Sequence, residues 1–537
     1  MASFLLGVPD SFDYENLNVT EHGGWEDGAY VQDSWRATNK LTVNFGLRYD
    51  VTLLPIYGTP GSRGPDTNYI GDEDFDKGVY IVADLPPACN PATGIGAPCI
   101  PGGVLPSHVI VTPYKNHSII RNTYDNLGPR LGLAYRLSPN TVIRAGAGKF
   151  FDNWAAAAQN AQNYQASWPS VAASLGTNLD YPTSANPLPT VSWSNPPNAV
   201  LVGGVLLPAP TPFNQAEWFV DPRLQNAYSE QWNFGVQQGL GRSTVLEADY
   251  VGQHSSRLDV GDLANTAVTP GPGDISLRQP YSYMNPTYYD KSTGRASYNA
   301  FDFKLRRTVS AGLSYIVSYT WSKVINLGCD GFFATEGCSV QDPYNLNGSR
   351  SVAGFDVPQM LSASWTYDLP FGKGKSYASG NKALNALIGG WALNGIYTIR
   401  SGEPFTVMTS GDIANTGNGG SERANIVGPA ISANQTWQQY FNTSSFQSPA
   451  AYTFGNSGRN AYRLSHAGNW DMSIFRNFRI PMSEATRLEF RAEFFNAFNY
   501  AVLGGCLDNT VGDPNFGTAT CTRNTERELQ FALKFYF

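Results

Sequence analysis

Between residues 41 and 53 the chain alternates with a period of two. Leu41, Val43, Phe45, Leu47, Tyr49, Val51 and Leu53 fall on one side, and Thr42, Asn44, Gly46, Arg48, Asp50 and Thr52 on the other. Successive side chains of a strand point to opposite faces, so the pattern predicts a strand of about 13 residues with one wholly apolar face. The same alternation recurs at 313–321 (Leu313, Tyr315, Val317, Tyr319, Trp321), at 361–369 (Leu361, Ala363, Trp365, Tyr367, Leu369), at 391–399 and at 529–537. Such strands exceed the roughly five or six residues usual in globular sheets and match the roughly 9–11 that cross a bilayer at a tilt. In residues 486–494, Thr486, Leu488, Phe490, Ala492 and Phe494 alternate with Arg487, Glu489, Arg491 and Glu493. A charged row turned to lipid is costly, so it is expected to line a wet lumen as a ladder of salt bridges.

The connections are unequal. Short links at 38–40, 138–140, 240–243, 309–312 and 481–484 alternate with long ones near 55–125, 152–226, 253–296, 325–356, 401–466 and 500–525. A soluble sandwich has no reason to gather its long loops at one end, whereas an outer-membrane barrel pairs short periplasmic turns with long extracellular loops. The connection 370–386 breaks the alternation and reads as a longer periplasmic turn. Thirteen strands are evident, and Phe4–Val8 is expected to supply a fourteenth, since such bacterial barrels carry even strand numbers. The predicted fold is all-β, a transmembrane antiparallel β-barrel running as one domain over residues 1–537.

Composition narrows the function. Only 15% of residues are charged, against about 25% in typical soluble domains, while 13% are aromatic, as interfacial girdles require. A net charge of −7 with scattered lysines and arginines excludes a nucleic-acid partner. The richest apolar stretches, 199–207 and 384–399, are too short or too broken for a spanning helix, which leaves strands as the crossing element. The first ten residues lack the basic start and apolar core of a secretory signal, so export information is expected upstream. Six cysteines fall as three local pairs in the long loops, predicting the bridges Cys89–Cys99, Cys329–Cys338 and Cys506–Cys521 in an oxidising compartment.

Candidate chemistry is sparse. Gly372-Lys373-Gly374-Lys375-Ser376 superficially matches a phosphate-binding loop, but Leu369 stands where the first glycine belongs, and a basic turn is the reading taken. Asp72, Asp74 and Asp76 have calcium-loop spacing, yet Lys77 and Ala83 occupy positions that need Gly and Glu, which rejects an EF-hand and leaves a looser calcium site in an extracellular loop as the lesser reading. No HExxH or GxSxG string occurs, and the five histidines are scattered, so no catalytic residue, metal site or cofactor is expected. Trp154, Tyr164, Trp168, Trp193, Trp218 and Trp437 lie in the long loops and are read as loop packing or girdle rather than a site.

Several segments together resemble the barrel of the TonB-dependent outer-membrane receptors, specifically their Oar-like group. They are YVQDSW (30–35) with LTVNFGLRYD (41–50), LGPRLGLAYRLSPNTVIRAGAGKFFD (127–152), QWNFGVQQGL (231–240) with STVLEADYVG (243–252), and SYTWSK (318–323). The series continues with FDVPQMLSASWTYDLPFGKGK (355–375), GGWALNGIYTIRSGEPFTV (389–407), FGNSGRN (454–460), FRAEFFNAFN (490–499) and LQFALKFYF (529–537). The resemblance implies uptake of a large nutrient such as an oligosaccharide, peptide or metal chelate. It also implies a barrel of roughly 22 strands, of which about 14 are visible here. The family's carboxypeptidase-regulatory-like domain, TonB box and plug have no counterpart, so the chain is expected to be the C-terminal barrel part, reaching the TonB complex only through the missing N-terminal part. Closure of the visible strands into a smaller barrel is expected, because open edges in lipid are costly. The implied location is the outer membrane of a Gram-negative bacterium, with its lipid and the barrel assembly machinery as partners. The terminal Tyr536 and Phe537 resemble the signal that machinery reads. Lys149 lies where the resemblance places a lipid-facing residue, which questions that strand's register near its end. The competing reading is a structural or adhesive outer-membrane barrel without transport; a secreted all-β binding protein ranks third.

Overall fold

In a computed structural model of the chain the described residues are 12–15, 21–58, 69–112, 119–152, 167–170, 172–176, 201–202, 205–213, 218–327, 340–372, 375–377, 381–418, 422–430, 435–480 and 486–537. Thirteen long strands among them pair in chain order: β1 (Glu21–Trp35), β2 (Leu41–Gly58), β3 (Thr123–Ser138), β4 (Thr141–Asp152), β5 (Ala227–Leu240), β6 (Thr244–Ala264), β7 (Thr287–Ser310), β8 (Leu313–Leu327), β9 (Gln359–Asp368), β10 (Trp391–Arg400), β11 (Ala467–Arg479), β12 (Arg487–Phe495) and β13 (Glu528–Tyr536). Each is antiparallel to the next, forming an up-and-down meander with β1 and β13 as the ends of the described path. The Phe4–Val8 segment, expected as a further strand, lies outside the described residues.

Register carries the period of two across the sheet. Leu41, Tyr135, Ile143, Val236, Ala248, Phe303, Tyr319, Leu361 and Ile399 stand opposite one another in succession. One residue away, Arg136, Val142, Gln237, Glu247, Lys304, Ser318, Ser362, Thr398 and Asn469 form the neighbouring row on the other face. A one-residue slip of any strand would exchange its faces, so every pairing reinforces the same choice. The apolar face is uncovered: Phe303 is 44% exposed and Phe531 68%. Apolar surface left open over so many strands costs far more in water than a fold recovers, which identifies lipid as its partner.

The turns 36–40, 139–140, 241–243 and 311–312 are tight, as expected. Gly241 and Gly312 take left-handed backbone at two of them, a conformation that favours glycine. The longer connection between β9 and β10 holds a short helix, α1 (Lys382–Ile388), whose first turn is capped by the Asn381 side chain accepting from the Ala383 and Leu384 N–H groups. It lies at the same end as the tight turns, consistent with a periplasmic position.

One expected loop is shorter than its sequence suggests. Instead of 253–296, only 265–286 is free of the sheet, because β6 and β7 continue pairing through two register shifts between Ser256 and Val260. Gln253, His254, Ser255, Ser256 and Arg257 offer no apolar alternate, so the period of two is silent there. Backbone pairing continues because these residues stand beyond the apolar zone, where both faces can be polar. All buried hydrophobic clusters among the described residues lie at this loop end.

Candidate functional site: a polar lumen beneath a packed loop crown

The inward face of the sheet is predominantly polar from β1 to β13, with single apolar residues such as Val142, Ile316, Ile396 and Phe475 interspersed. On β12, Arg491 donates through Nε to Glu489 Oε1 at 3.0 Å and lies 3.5 Å from Glu493 Oε1. These residues share a face because they are two apart on one strand. Arg487 instead places its guanidinium 4.1 Å from the ring centre of Tyr536, its register partner on β13. Glu489 is buried, with Asn477 and Lys534 opposite it on the flanking strands. Further along the inward face Asp302 accepts a 2.5 Å hydrogen bond from the Thr320 hydroxyl. The lumen wall therefore offers alternating acids, bases, hydroxyls and amides rather than one dominant charge.

Lys149 stands in the outward row and pairs in register with Glu230. Its ammonium sits 3.8 Å from the centre of the Tyr228 ring and 5.0 Å from that of Phe151. The strand keeps its register to its end, and the charge is accommodated by aromatic faces at the rim.

Above the wall the loops pack as a crown. Gly71–Asp74, Val79–Val82 and Val109–Val111 form a three-stranded sheet whose Tyr80 side chain donates to the Trp168 carbonyl at 2.8 Å. Trp168 is completely buried, its indole N–H donating to the Ala209 carbonyl, with Phe213, Phe219 and Met284 in the same cluster. Of the other loop aromatics considered, Trp437 is exposed; Trp154, Tyr164 and Trp193 lie outside the described residues, as does the side chain of Trp218. Asp74 and Asp76 both pair with Arg223, and Asp74 also pairs with Lys77 at 3.0 Å. Asp72 accepts from the Val220 N–H, so these acids tie one long loop to the next. The bridges Cys89–Cys99 and Cys506–Cys521 are formed, with Cα separations of 4.9 and 5.4 Å. Cys329 and Cys338 lie outside the described residues.

A second half of the crown joins residues 401–466 to 496–527. Val407, Tyr440, Phe441, Phe446 and Ala519 form its buried cluster. Glu422 is wholly buried and accepts from the N–H groups of Ile413 and Ala414, while the adjacent Asp412 accepts from Thr416 and Gly417. Burial pushes the Glu422 carboxyl up to about 7; the Ala414 and Ile413 N–H groups oppose this rise and Asp412 reinforces it. Arg278 and Asn415 lock this half to loop 265–286, Asn415 donating to the carbonyls of Gly271 and Gly273. No periodicity announces such pairings, since Arg223 and Asp74 are separated by 149 positions.

A model of the outer membrane beta barrel domain family matches residues 1–530. No curated protein matches the sequence. Among solved structures, similarity is found to FpvA of P. aeruginosa bound to a heterologous iron pyoverdine, at 10% identity and a TM-score of 0.43, covering 96% of this chain and 39% of that one. The siderophore receptor PiuA from Acinetobacter baumannii is similar at 9% identity and 0.41, with 96% and 44% covered. The ferric-catecholate import receptor Fiu from K12 E. coli follows at 10% and 0.40, with 96% and 45% covered. The chain thus spans less than half the length of each.

Proposed function

This chain belongs to the outer membrane beta barrel domain family, and on that premise we propose that it is the barrel portion of a TonB-dependent receptor that takes up a large nutrient. The observation that carries the reading is the predominantly polar face that the strands from β1 to β13 share beneath a crown of interlocked loops at one end only. A wall of mixed charge and amides suits passage of a polar solute, and a cross-tied crown suits its selection at the outer surface. The Oar-like segments quoted above support the same assignment. Energy coupling then belongs to plug and TonB-box segments outside these residues, and Tyr536 with Phe537 serves as the assembly signal. Phe537 is almost fully exposed and stacks 6.0 Å from Phe535, which leaves it accessible for recognition.

Accumulation of a labelled maltodextrin, a labelled peptide and a labelled ferric chelate, compared in cells producing the receptor with and without TonB, tests the reading. TonB-dependent accumulation of one class is expected. Equal accumulation in both backgrounds, or none of the three with surface adhesion retained, favours the structural barrel.

A further inference from the structure

We propose that the lumen wall of β1 to β5 carries a binding groove for a neutral oligosaccharide, an inference that rests on the receptor reading and names its class of nutrient. Glycines on the inward face create the groove. Two adjacent cross-strand rows run Asn44–Gly132–Gly146–Asn233 and Gly46–Arg130–Gly148–Gln231. Gly132 and Gly146 each stand four residues from Arg136 and Val142 of the inward face, so both rows point into the lumen. Missing side chains at four neighbouring positions leave a cavity of about 600 Å³ floored by backbone. A β-carbon at Gly132 would come within 3.6 Å of the Asn44 side chain, and one at Gly146 within 3.4 Å of the Asn233 amide, so these amides lean over the floor and form its sides. At one end the Phe150 ring lies across Gly148, 3.1 Å from where its β-carbon would stand, and the Arg130 guanidinium stacks 4.6 Å from the ring centre.

The lining is rich in amides and poor in charge. Gln32, Asn44, Gln231 and Asn233 are all exposed along the groove, and each carries two N–H donors beside a carbonyl acceptor. A sugar hydroxyl donates and accepts at once, so a row of amides answers it in both senses, and Arg130 adds further donors. The acid in the lining, Asp33, stands opposite Phe45 in the alternate row and accepts from the Ser34 N–H. An anionic chelate calls for several charge-assisted bonds, and Arg130 is the single cation lining this groove. An extended peptide gains affinity by pairing with a free strand edge, whereas β2 to β5 are each paired on both sides. A neutral polyhydroxylated chain fits what the groove offers, and its volume lies in the range of ligand pockets.

The test is equilibrium dialysis of the intact chain, folded in detergent, against labelled maltohexaose, cellohexaose and xylohexaose, with a labelled alanine–serine hexapeptide and ferric citrate as parallel probes. Saturable binding of at least one hexasaccharide, and of neither other probe, is expected. Gly132→Val should abolish it, because the nearest atoms, 3.6 to 4.0 Å away, leave room for a β-carbon while the added methyl groups fill the floor. Asn233→Ala should raise half-saturation about fivefold, as loss of one hydrogen bond predicts. Thr398→Ala, on the inward face of β10, should leave binding unchanged, and the heat-modifiable electrophoretic shift checks that each variant is folded. Failure to bind any hexasaccharide, or equal binding by the native chain and Gly132→Val, overturns the groove. Binding of the peptide or ferric citrate that Gly132→Val removes overturns the sugar assignment. TonB-dependent uptake of a peptide or chelate without hexasaccharide binding sinks the groove and keeps the receptor, whereas hexasaccharide binding without TonB-dependent uptake keeps the groove and sinks the receptor.

Discussion

Phe303 and Trp168 are both large aromatic residues, yet Phe303 in the strand wall is 44% exposed and Trp168 in the loop crown has no exposed surface. The wall turns most of its apolar side chains outward and most of its charges inward, while the crown hides its apolar side chains in local clusters, as a water-soluble domain does. The same chain therefore obeys two solvents, and the boundary lies where the outward row changes from rings to polar groups. Breaking an apolar contact should act locally in the crown and through the lipid in the wall.

The largest effect is expected in the crown. Trp168→Ala empties a fully buried site among Tyr80, Phe213 and Phe219 and should cost about 3–5 kcal/mol. Limited proteolysis should open residues 70–112, whereas the heat-modifiable electrophoretic shift of the barrel should persist. Next comes the wall. Val317→Arg places a charge in the lipid-facing row at about 2–4 kcal/mol, whereas Ser318→Arg, one residue on, should cost under about 1 kcal/mol. Denaturant titration of the protein folded into phospholipid vesicles measures both.

Replacing Cys506 and Cys521 by serine should lower crown stability by about 2–3 kcal/mol on the chain-entropy account, given a sequence separation of 15. Hydrogen exchange should quicken in 503–522 and leave β12 and β13 unaltered. The smallest effect concerns acidity. The folded crown holds a proton on Glu422 to about pH 7, above the ordinary range of an unfolded glutamate. Stability from this group is fully present below the unfolded value and is lost as pH rises from there through about 7, because over that window the native state alone holds the proton and must release it as the pH climbs. Amide exchange at Ile413 and Ala414 should accelerate between pH 5 and 8, on the order of 1–2 kcal/mol in protection, and Glu422→Gln should flatten that dependence.

The difference between wall and crown also explains what was legible in the sequence. Leu313, Tyr315, Val317 and Tyr319 announce their strand because lipid on one side and water on the other impose a strict alternation. The same rule places Arg487, Glu489, Arg491 and Glu493 on one face before any contact is known. It fails at Gln253–Arg257, where both faces are polar and pairing continues unannounced. In the crown no repeat links Arg223 to Asp74 or Glu422 to Asp412, because loops close on one another through single side chains. The local cysteine spacings at 89–99 and 506–521 were readable since short loops bring their own ends together.

One face of the wall meets lipid and the other meets water. Spin labels placed singly at residues 313 to 320 in vesicle-folded protein read this directly through collision with oxygen, which partitions into lipid, and with a water-soluble nickel chelate. Oxygen should dominate at 313, 315, 317 and 319 and the chelate at 314, 316, 318 and 320, in strict alternation. Uniform chelate access, or the opposite phase, contradicts the account.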